Sequence, residues 1–347
     1  MTVAPATHGC WWIGQDASVH IVAAPDKFRG TATARDVASA IARAAHAAGH
    51  TCDEAPMADG GEGTLEALGG ANRSSVVTGP LGEPVDAPWR LLRGTAVIEM
   101  ANASGLLLAG GPDENDPMGA TTRGTGELIA DAVEHGAKRV IVGVGGSATT
   151  DGGLGALDAL FPPQRLRAIE LVVACDVRTT FVDCAARFAP QKGASPAQVK
   201  LLQRRLEQLA QRYLEDYGRD IRELEGSGAA GGLAGGLAAI GATLESGFEV
   251  VSDEVQLAER LETADLVVTG EGFLDRESFE GKVVGGVFDL AGELDVPALA
   301  VVGRVYDDVP AGLDVVALVD EFGEERALAD TAACVEEAVT TWLARAR

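Results

Sequence analysis

Small hydroxylated residues and one carboxylate follow an apolar segment near the middle of the chain. At positions 144–153 the sequence VGGSATTDGG places Ser147, Thr149, Thr150 and Asp151 among four glycines, directly after the apolar run 139–142. Hydroxyls and glycine amides at a strand end can hold phosphate oxygens, and Asp151 can orient a hydroxyl, accept its proton or help to hold Mg²⁺. A purely structural turn rarely needs so many small residues, so the pattern favours a functional loop.

A second glycine-rich loop combines two carboxylates with a helix start. The sequence PMADGGEGT at 56–64 precedes a predicted helix at 64–68. Its glycines allow close approach to a ligand, and a helix N-terminus offers amide donors to an anion. A plain turn with a capped helix is the alternative. The candidate ligand-binding residues here are Asp59, Gly60, Gly61, Glu62, Gly63 and Thr64.

Further acids and lysines follow other predicted strands. Asp176 follows the run 170–174, and Lys192 lies at a turn before a helix, so the two are candidates for an acid and a base. Glu271 lies between glycines after the run 265–269, while Lys27 lies in the loop that follows the first strand. Turn capping by Asp176, an ordinary β-to-α loop around Glu271 and chance placement of lysines are the alternatives.

Several familiar catalytic patterns are missing from the sequence. There is no G-x-x-x-x-G-K-[ST] phosphate loop, no protein-kinase motif set, no G-x-G-x-x-G opening the first helix and no G-x-S-x-G elbow. The five histidines lie outside the glycine-rich loops, which weighs against His-based hydrolysis and metal binding. The remaining carboxylates, hydroxyls, amides and sparse lysines suit phosphoryl transfer, which depends on positioning and charge neutralisation.

Strand-like runs alternate with helical periodicity along the chain, which predicts parallel sheets covered by helices. Thr33 and Asp36 form a capping box that predicts a helix ending at Gly49. Ligand sites in such sheets lie at strand C-termini, where the loops above are found. The predicted strands are 19–24, 75–77, 96–100, 139–142, 170–174, 265–269, 298–302 and 314–319, and the other predicted helices are 125–135, 195–217, 228–240, 281–293 and 328–346.

Composition indicates a globular protein that avoids anionic polymers. A formal charge of -24 over 347 residues repels nucleic acid and membrane surfaces. Five cysteines without a C-x-x-C pair argue against disulfides or zinc and fit a cytoplasmic location. No apolar run is long enough for a membrane span.

The order of elements predicts a Rossmann-like parallel-sheet domain interrupted by a second, inserted α/β domain. We assign residues 1–18 to an N-terminal tail, residues 19–78 and 248–347 to the Rossmann-like domain and residues 79–247 to the insertion. The turn cluster at 78–84 marks the first crossing.

The motifs, taken in order, resemble those of the class I glycerate kinase family. The first is APDKFRG at 24–30, and the last is Gly270-Glu271-Gly272. Those between lie at 57–64, 79–82, 98–101, 120–122, 124–129, 145–153, 174–177, 190–194 and 226–233. The resemblance implies the same fold class, with an active site in the cleft between two domains. It also implies transfer of a phosphoryl group from ATP, with Mg²⁺, to D-glycerate, giving 2-phosphoglycerate.

The resemblance places several candidate residues at matching positions, and we infer their roles. Asp176 or Asp151 orients and deprotonates the glycerate hydroxyl while the other helps to hold Mg²⁺, and Lys27 and Lys192 neutralise the transferred phosphate. The candidate nucleotide-binding residues are Asp59, Gly60, Gly61, Glu62, Gly63, Thr64, Gly146, Ser147, Thr149 and Glu271.

Three departures from the family pattern leave other functions open. The segment 155–170 is short, 178–183 reads RTTFVD, and Phe273 stands where an arginine is usual, with Arg276 or Arg304 as substitutes. The alternatives are a non-catalytic paralogue that binds a nucleotide or acidic metabolite, and a kinase for another small hydroxy acid. Self-association into a homo-oligomer is left open.

Overall fold

The computed structural model describes residues 18–279, 281–306, 310 and 313–346, which form two compact units. The outer unit comprises residues 18–58 and 251–346, and the inserted unit comprises residues 59–250. All of the predicted N-terminal tail except Ser18 lies outside the described residues.

Strands and helices alternate along the described residues. The strands are β1 His20–Ala23, β2 Thr51–Glu54, β3 Arg73–Thr78, β4 Pro84–Leu92, β5 Thr95–Glu99, β6 Arg139–Gly143, β7 Glu170–Ala174, β8 Thr243–Glu245, β9 Leu266–Leu274, β10 Ala298–Val305 and β11 Asp314–Ala317. The helices are α1 Ala34–Ala47, α2 Thr64–Ala67, α3 Ala101–Ser104, α4 Arg123–Glu134, α5 Leu154–Leu160, α6 Cys184–Phe188, α7 Pro196–Tyr217, α8 Ala229–Ala239, α9 Gly247–Val255, α10 Leu257–Leu261, α11 Val283–Glu293, α12 Leu318–Phe322, α13 Glu324–Ala329 and α14 Thr331–Arg345.

The outer unit is a parallel sheet with helices on both faces. Its strand order is β11-β10-β9-β1-β2, and every neighbouring pair is parallel. Ile41 of α1 and Val339 of α14 pack against Val301 on one face, while Val284 of α11 packs against Ala300 on the other. The predicted capping box opens α1, because Thr33 Oγ1 accepts a hydrogen bond from Asp36 N at 3.1 Å.

The inserted unit contains a mixed sheet of order β3-β4-β5-β6-β7-β8. The pairs β3–β4 and β4–β5 are antiparallel, and the remaining pairs are parallel. Alternate residues of β6 face opposite sides: Val140 and Val142 join the large core, whereas Ile141 packs with Leu65 and Val250. The predicted α/β class with parallel sheets is confirmed.

The first boundary between the units differs from the predicted one. We expected the chain to leave the outer unit after residue 78, but it does so after Ala58. Residues 59–78 belong to the inserted unit because β3 pairs with β4 along its whole length and Leu65 packs against Ile141. The chain returns after Val250, close to the expected crossing at 247–248.

Candidate active site

A cavity of about 480 Å³ lies at the C-terminal ends of β6 and β7, and every residue that lines it belongs to the inserted unit. Neighbouring parallel strands end at the same sheet edge, where the sequence placed a ligand site. The lining comprises segments at 59–61, 144–147, 174–177, 191–192 and 229–230, together with Leu106 and Phe188.

Backbones approach one another closely at the wall of this cavity. Gly60 has a φ of +78°, and a Cβ there would lie 2.8 Å from the Ala174 carbonyl oxygen and 2.9 Å from Gly247 Cα. A Cβ on Gly145 would lie 2.8 Å from Gly61 Cα. Larger residues would therefore push the 59–61 loop away from the ends of β6 and β7.

The cavity contains a buried cation. Lys192 is 3% exposed, and its Nζ donates hydrogen bonds to Ser147 Oγ and to the Thr149 carbonyl oxygen, each at 2.7 Å. Burial lowers the pKa of Lys192 to about 8, although Cys184 and Asp151 oppose this shift. At neutral pH the side chain is therefore mainly an ammonium, and it lies beside the hydroxyl of Ser147.

Two of the predicted carboxylates also line the cavity. Asp176 Oδ1 accepts hydrogen bonds from Gly247 N at 2.8 Å and Ser246 Oγ at 3.4 Å, which orients the side chain. Asp59 Oδ1 accepts from Gly61 N at 3.2 Å. The structure thus brings Asp59, Asp176, Ser147 and Lys192 to one cavity, together with Gly60, Gly61 and Gly146.

Asp151 does not line the cavity. Its Oδ2 accepts hydrogen bonds from Thr122 N at 2.9 Å, Thr122 Oγ1 at 2.8 Å and Gly155 N at 3.2 Å, and its Oδ1 accepts from Gly153 N at 3.0 Å. Burial raises the pKa of Asp151, and these donors oppose that shift. The carboxylate therefore braces the loop before α5 and the start of α4.

The second half of the 59–64 loop is also directed away from the cavity. Glu62 is exposed, and Thr64 is buried with its Oγ1 donating to the Gly61 carbonyl at 2.8 Å. The amides of Gly63 and Leu65 donate to Glu99 Oε1 at 2.9 and 2.8 Å. Glu99, which the sequence interpretation missed, therefore occupies the helix-end amides that we expected to bind an anion.

The start of α8 is a further cavity feature that the sequence interpretation missed. Residues 228–240 were predicted as a regular packed helix, but Ala230, Gly231 and Gly232 have φ values of 52°, 66° and 89°. Ala229 and Ala230 line the cavity at this kink. The run of glycines was the available signal, because a left-handed backbone favours residues without a Cβ. Thr149, which packs here, is fully buried.

The other predicted residues lie at the sheet edge of the outer unit. Asp26 N donates to the Gly270 carbonyl at 2.8 Å, and Lys27 Nζ lies 3.6 Å from Asp26 Oδ1. Glu271 Oε1 is buried and has no hydrogen-bond partner among the described residues. Burial raises the pKa of Glu271 to about 7; Asp26 and Asp275 add to the shift, while Ser278 and Lys282 oppose it.

Phe273 belongs to an aromatic cluster. Its ring centroid lies 5.5 Å from that of Tyr306, and the guanidinium of Arg304 lies 6.0 Å from the Tyr306 ring. Arg304 also forms an ion pair with Glu324 at 2.7 Å. Of the two arginines considered as substitutes, Arg304 is therefore engaged by Glu324 and Tyr306.

The donor set at the cavity suits a hard cation better than a soft one. Within the described part of the chain, no group of three or more His, Cys, Asp and Glu side chains could hold a metal ion. Mg²⁺ commonly takes one or two protein carboxylates and completes its shell with phosphate oxygens and water. Asp59 and Asp176 fit that requirement, whereas the oxygens of Asp151 are occupied by four donors.

Comparison with known proteins identifies the family. A sequence model described as the glycerate kinase family matches residues 21–161 and 162–345. The chain belongs to the glycerate kinase family. Glycerate 2-kinase of Escherichia coli K12 is 39% identical over 329 residues, which cover 83% of this chain and 86% of that one.

Two further members of the glycerate kinase family support the assignment. Glycerate kinase of Bacillus subtilis 168 is 37% identical over 380 residues, covering 93% of this chain and 99% of that enzyme. A crystal structure of a Salmonella typhimurium LT2 protein, described as a candidate glycerate kinase 2, has a TM-score of 0.82 at 34% identity and covers 95% of this chain and 99% of that one.

Two further observations apply to the described residues and concern membrane spans and cysteines. None of the helices there is both long and apolar enough to cross a membrane. Cys52, Cys175, Cys184 and Cys334 are free thiols, and Cys10 lies outside the described part.

Proposed function

We propose that this protein transfers the γ-phosphoryl group of ATP to D-glycerate and forms 2-phosphoglycerate in a Mg²⁺-dependent reaction. The single observation that carries the proposal is the cavity at the ends of β6 and β7. It combines the Lys192 ammonium with the Asp59 and Asp176 carboxylates in a glycine-lined wall. Family membership and the names of the relatives support the choice of glycerate.

Each cavity residue has a role in this reaction. Asp176 is held by two donors from 246–247, and it orients the glycerate hydroxyl and accepts its proton. Lys192 neutralises negative charge on the transferred group, and Ser147 lies beside it to bind an anionic oxygen. Bound Mg²⁺ would supply positive charge to the phosphate oxygens, with Asp59 as its protein ligand.

The family resemblance adds two residues of the outer unit, Lys27 and Glu271, to the proposal. Lys27 adds positive charge toward the phosphate, and Glu271 belongs to the nucleotide-binding residues. Asp151 takes no chemical step in this scheme because four donors hold it. A cytoplasmic location and a small-molecule substrate, without nucleic acid or membrane partners, remain part of the proposal.

The test is ADP release from Mg-ATP with and without D-glycerate, followed by ³¹P NMR of the product. We expect glycerate-dependent turnover and a phosphate on the 2-hydroxyl. Asp176→Asn should lower kcat at least 100-fold, because positioned general bases contribute roughly 10²–10⁴-fold. Asp158→Asn, at an exposed position of α5 in the same unit, is the matched control and should retain activity.

Other results would support the other functions. Binding of ATP or glycerate without turnover would refute the kinase and favour a non-catalytic paralogue. Turnover with a different acid in a panel of small hydroxy acids, but not with glycerate, would keep the reaction and change the substrate.

A further inference from the structure

One asparagine ties together the two segments that carry Ser147 and Lys192. Asn115 Nδ2 donates to the carbonyl oxygen of Ala148 at 3.1 Å and to that of Lys192 at 2.8 Å. Ala148 lies between Ser147 and Thr149, the residues that accept the hydrogen bonds of Lys192 Nζ. The two segments are thus joined twice, through their main chains by Asn115 and through the side chain of Lys192.

Only a side-chain amide suits this position among residues of similar shape. The NH₂ group has two hydrogens for two carbonyls, and a carboxylate there would set oxygen lone pairs against both. Asn115 Oδ1 is buried and has no hydrogen-bond partner among the described residues, so the position uses the donor half of the amide. Asn115 Oδ1 therefore lacks a hydrogen bond to any described residue, while Nδ2 makes two.

The segment 111–115, which carries Asn115, also contacts the turn at Lys192. Asn115 N donates to the Gly111 carbonyl at 3.1 Å, which fixes the segment as a turn. Gly193 follows Lys192 with a φ of +93°, and a Cβ there would lie 2.2 Å from the Pro112 carbonyl oxygen. Residues 111–115 therefore contact the Lys192 turn at two separate places.

We propose that Asn115 is a positioning residue that holds the Lys192 turn against the 147–149 loop and so fixes the ammonium in the cavity. The kinetic consequence rests on the proposed kinase function, whereas the effect on the lysine itself does not. Burial is the main cause that lowers the pKa of Lys192, and Cys184 and Asp151 are the groups that oppose it. Loss of the Asn115 contacts would admit water to the ammonium and raise its pKa toward the ordinary value of about 10.4.

The test measures the pKa of Lys192 directly, by competitive labelling with trace acetic anhydride from pH 6 to 11 and mass spectrometry of the Lys192 peptide. Asn115→Ala and Asn115→Asp are compared with wild type. Asn102→Ala is the matched control, because Asn102 is also half-buried in the inserted unit and donates to one carbonyl, that of Pro88 at 3.2 Å, away from the cavity. Thermal melting establishes that each labelled variant is folded.

We expect a pKa of about 8 in wild type and Asn102→Ala, and an upward shift of at least one unit in both Asn115 variants. In the kinase assay kcat/KM for glycerate should fall roughly 10- to 100-fold in those variants, the scale of a slightly misplaced catalytic group. An unchanged Lys192 pKa in folded Asn115 variants would overturn the proposal. So would unfolding of both variants while Asn102→Ala stays folded, because Asn115 would then serve stability only. Failure of glycerate turnover in wild type, with the pKa shift observed, would refute the kinase and leave the positioning role intact.

Discussion

Glu271 is a carboxyl group whose burial should make the stability of the outer unit depend on pH near neutrality. Burial raises its pKa from 4.5 to about 7, and the nearby Asp26 and Asp275 add to that shift. Glu271→Gln keeps nearly the same shape but cannot ionise. The variant therefore removes the cost of placing a negative charge at this position.

The size of the effect follows from the two pKa values. A shift from 4.5 to about 7 is worth about 3 kcal/mol, at 1.36 kcal/mol per unit. The folded carboxyl holds its proton up to about pH 7 and the unfolded one only to about 4.5, so the stability from this group is complete below 4.5 and is lost as pH rises through 7. About 2 kcal/mol of that loss falls between pH 5.5 and 8.

The assay compares the free energy of unfolding of wild type and Glu271→Gln in denaturant from pH 5.5 to 8, above the isoelectric point of about 4.5. Hydrogen exchange of the β9 amides reports on the outer unit separately from the inserted one. Wild type should lose about 2 kcal/mol relative to the variant over this range. Glu277→Gln, whose side chain is 75% exposed, is the control and should run parallel to wild type. Parallel curves for Glu271→Gln would refute the reasoning.

Two further predictions concern residues of the inserted unit, one for its carboxylates and one for its glycines. Asp151→Asn should lower the free energy of unfolding by about 2–4 kcal/mol, because its amide NH₂ would face a backbone donor, while the folded fraction keeps its kcat. Asp176→Asn should lower kcat and leave the free energy of unfolding nearly unchanged. Equal losses of kcat in fully folded Asp151→Asn and Asp176→Asn would contradict this assignment. Gly60→Ala should lower the free energy of unfolding, measured by chemical denaturation, by about 2 kcal/mol more than Gly70→Ala. Both glycines have a φ of +78°, but only a Cβ at Gly60 would meet backbone atoms. Equal costs for the two variants would show that the close approach to Ala174 is not limiting.

The sequence predicted strands with a continuous apolar run better than polar, short or proline-containing strands. The run 170–174 was predicted with the bounds of β7, and the predicted strand 139–142 matches β6 except for one residue. In contrast, β2, β4 and β8 were not predicted. β2 is the polar run TCDE and β8 has only three residues, so neither gives an apolar signal. β4 contains Pro84 and Pro88, which argue against a strand within a sheet.

The loops of the candidate site were predictable, but the partner of each side chain was not. The glycine-rich segments 59–61 and 144–147 do line the cavity. Asp151 is predicted as a catalytic acid from its local sequence, which gives no sign of the hydrogen bond from Thr122, 29 residues away along the chain. Glu99 likewise caps α2 across 34 residues, a contact that no local pattern encodes. Residue type and spacing therefore predicted which loops line the cavity, while long-range hydrogen bonds determine which acids face it.

Two residues that line the cavity carry a local energetic cost. Lys192 is held in a site that lowers its pKa to about 8, which disfavours the charged form by about 3 kcal/mol relative to water. Ala230, which lines the same cavity, has a φ of 52°, a conformation that costs about 1 kcal/mol or more in a residue with a Cβ. Neither cost improves packing, since a methionine would fill the lysine position without a charge and a glycine would relieve the backbone. Both costs fall on residues that line the same cavity, which fits the proposed binding of an anionic substrate there.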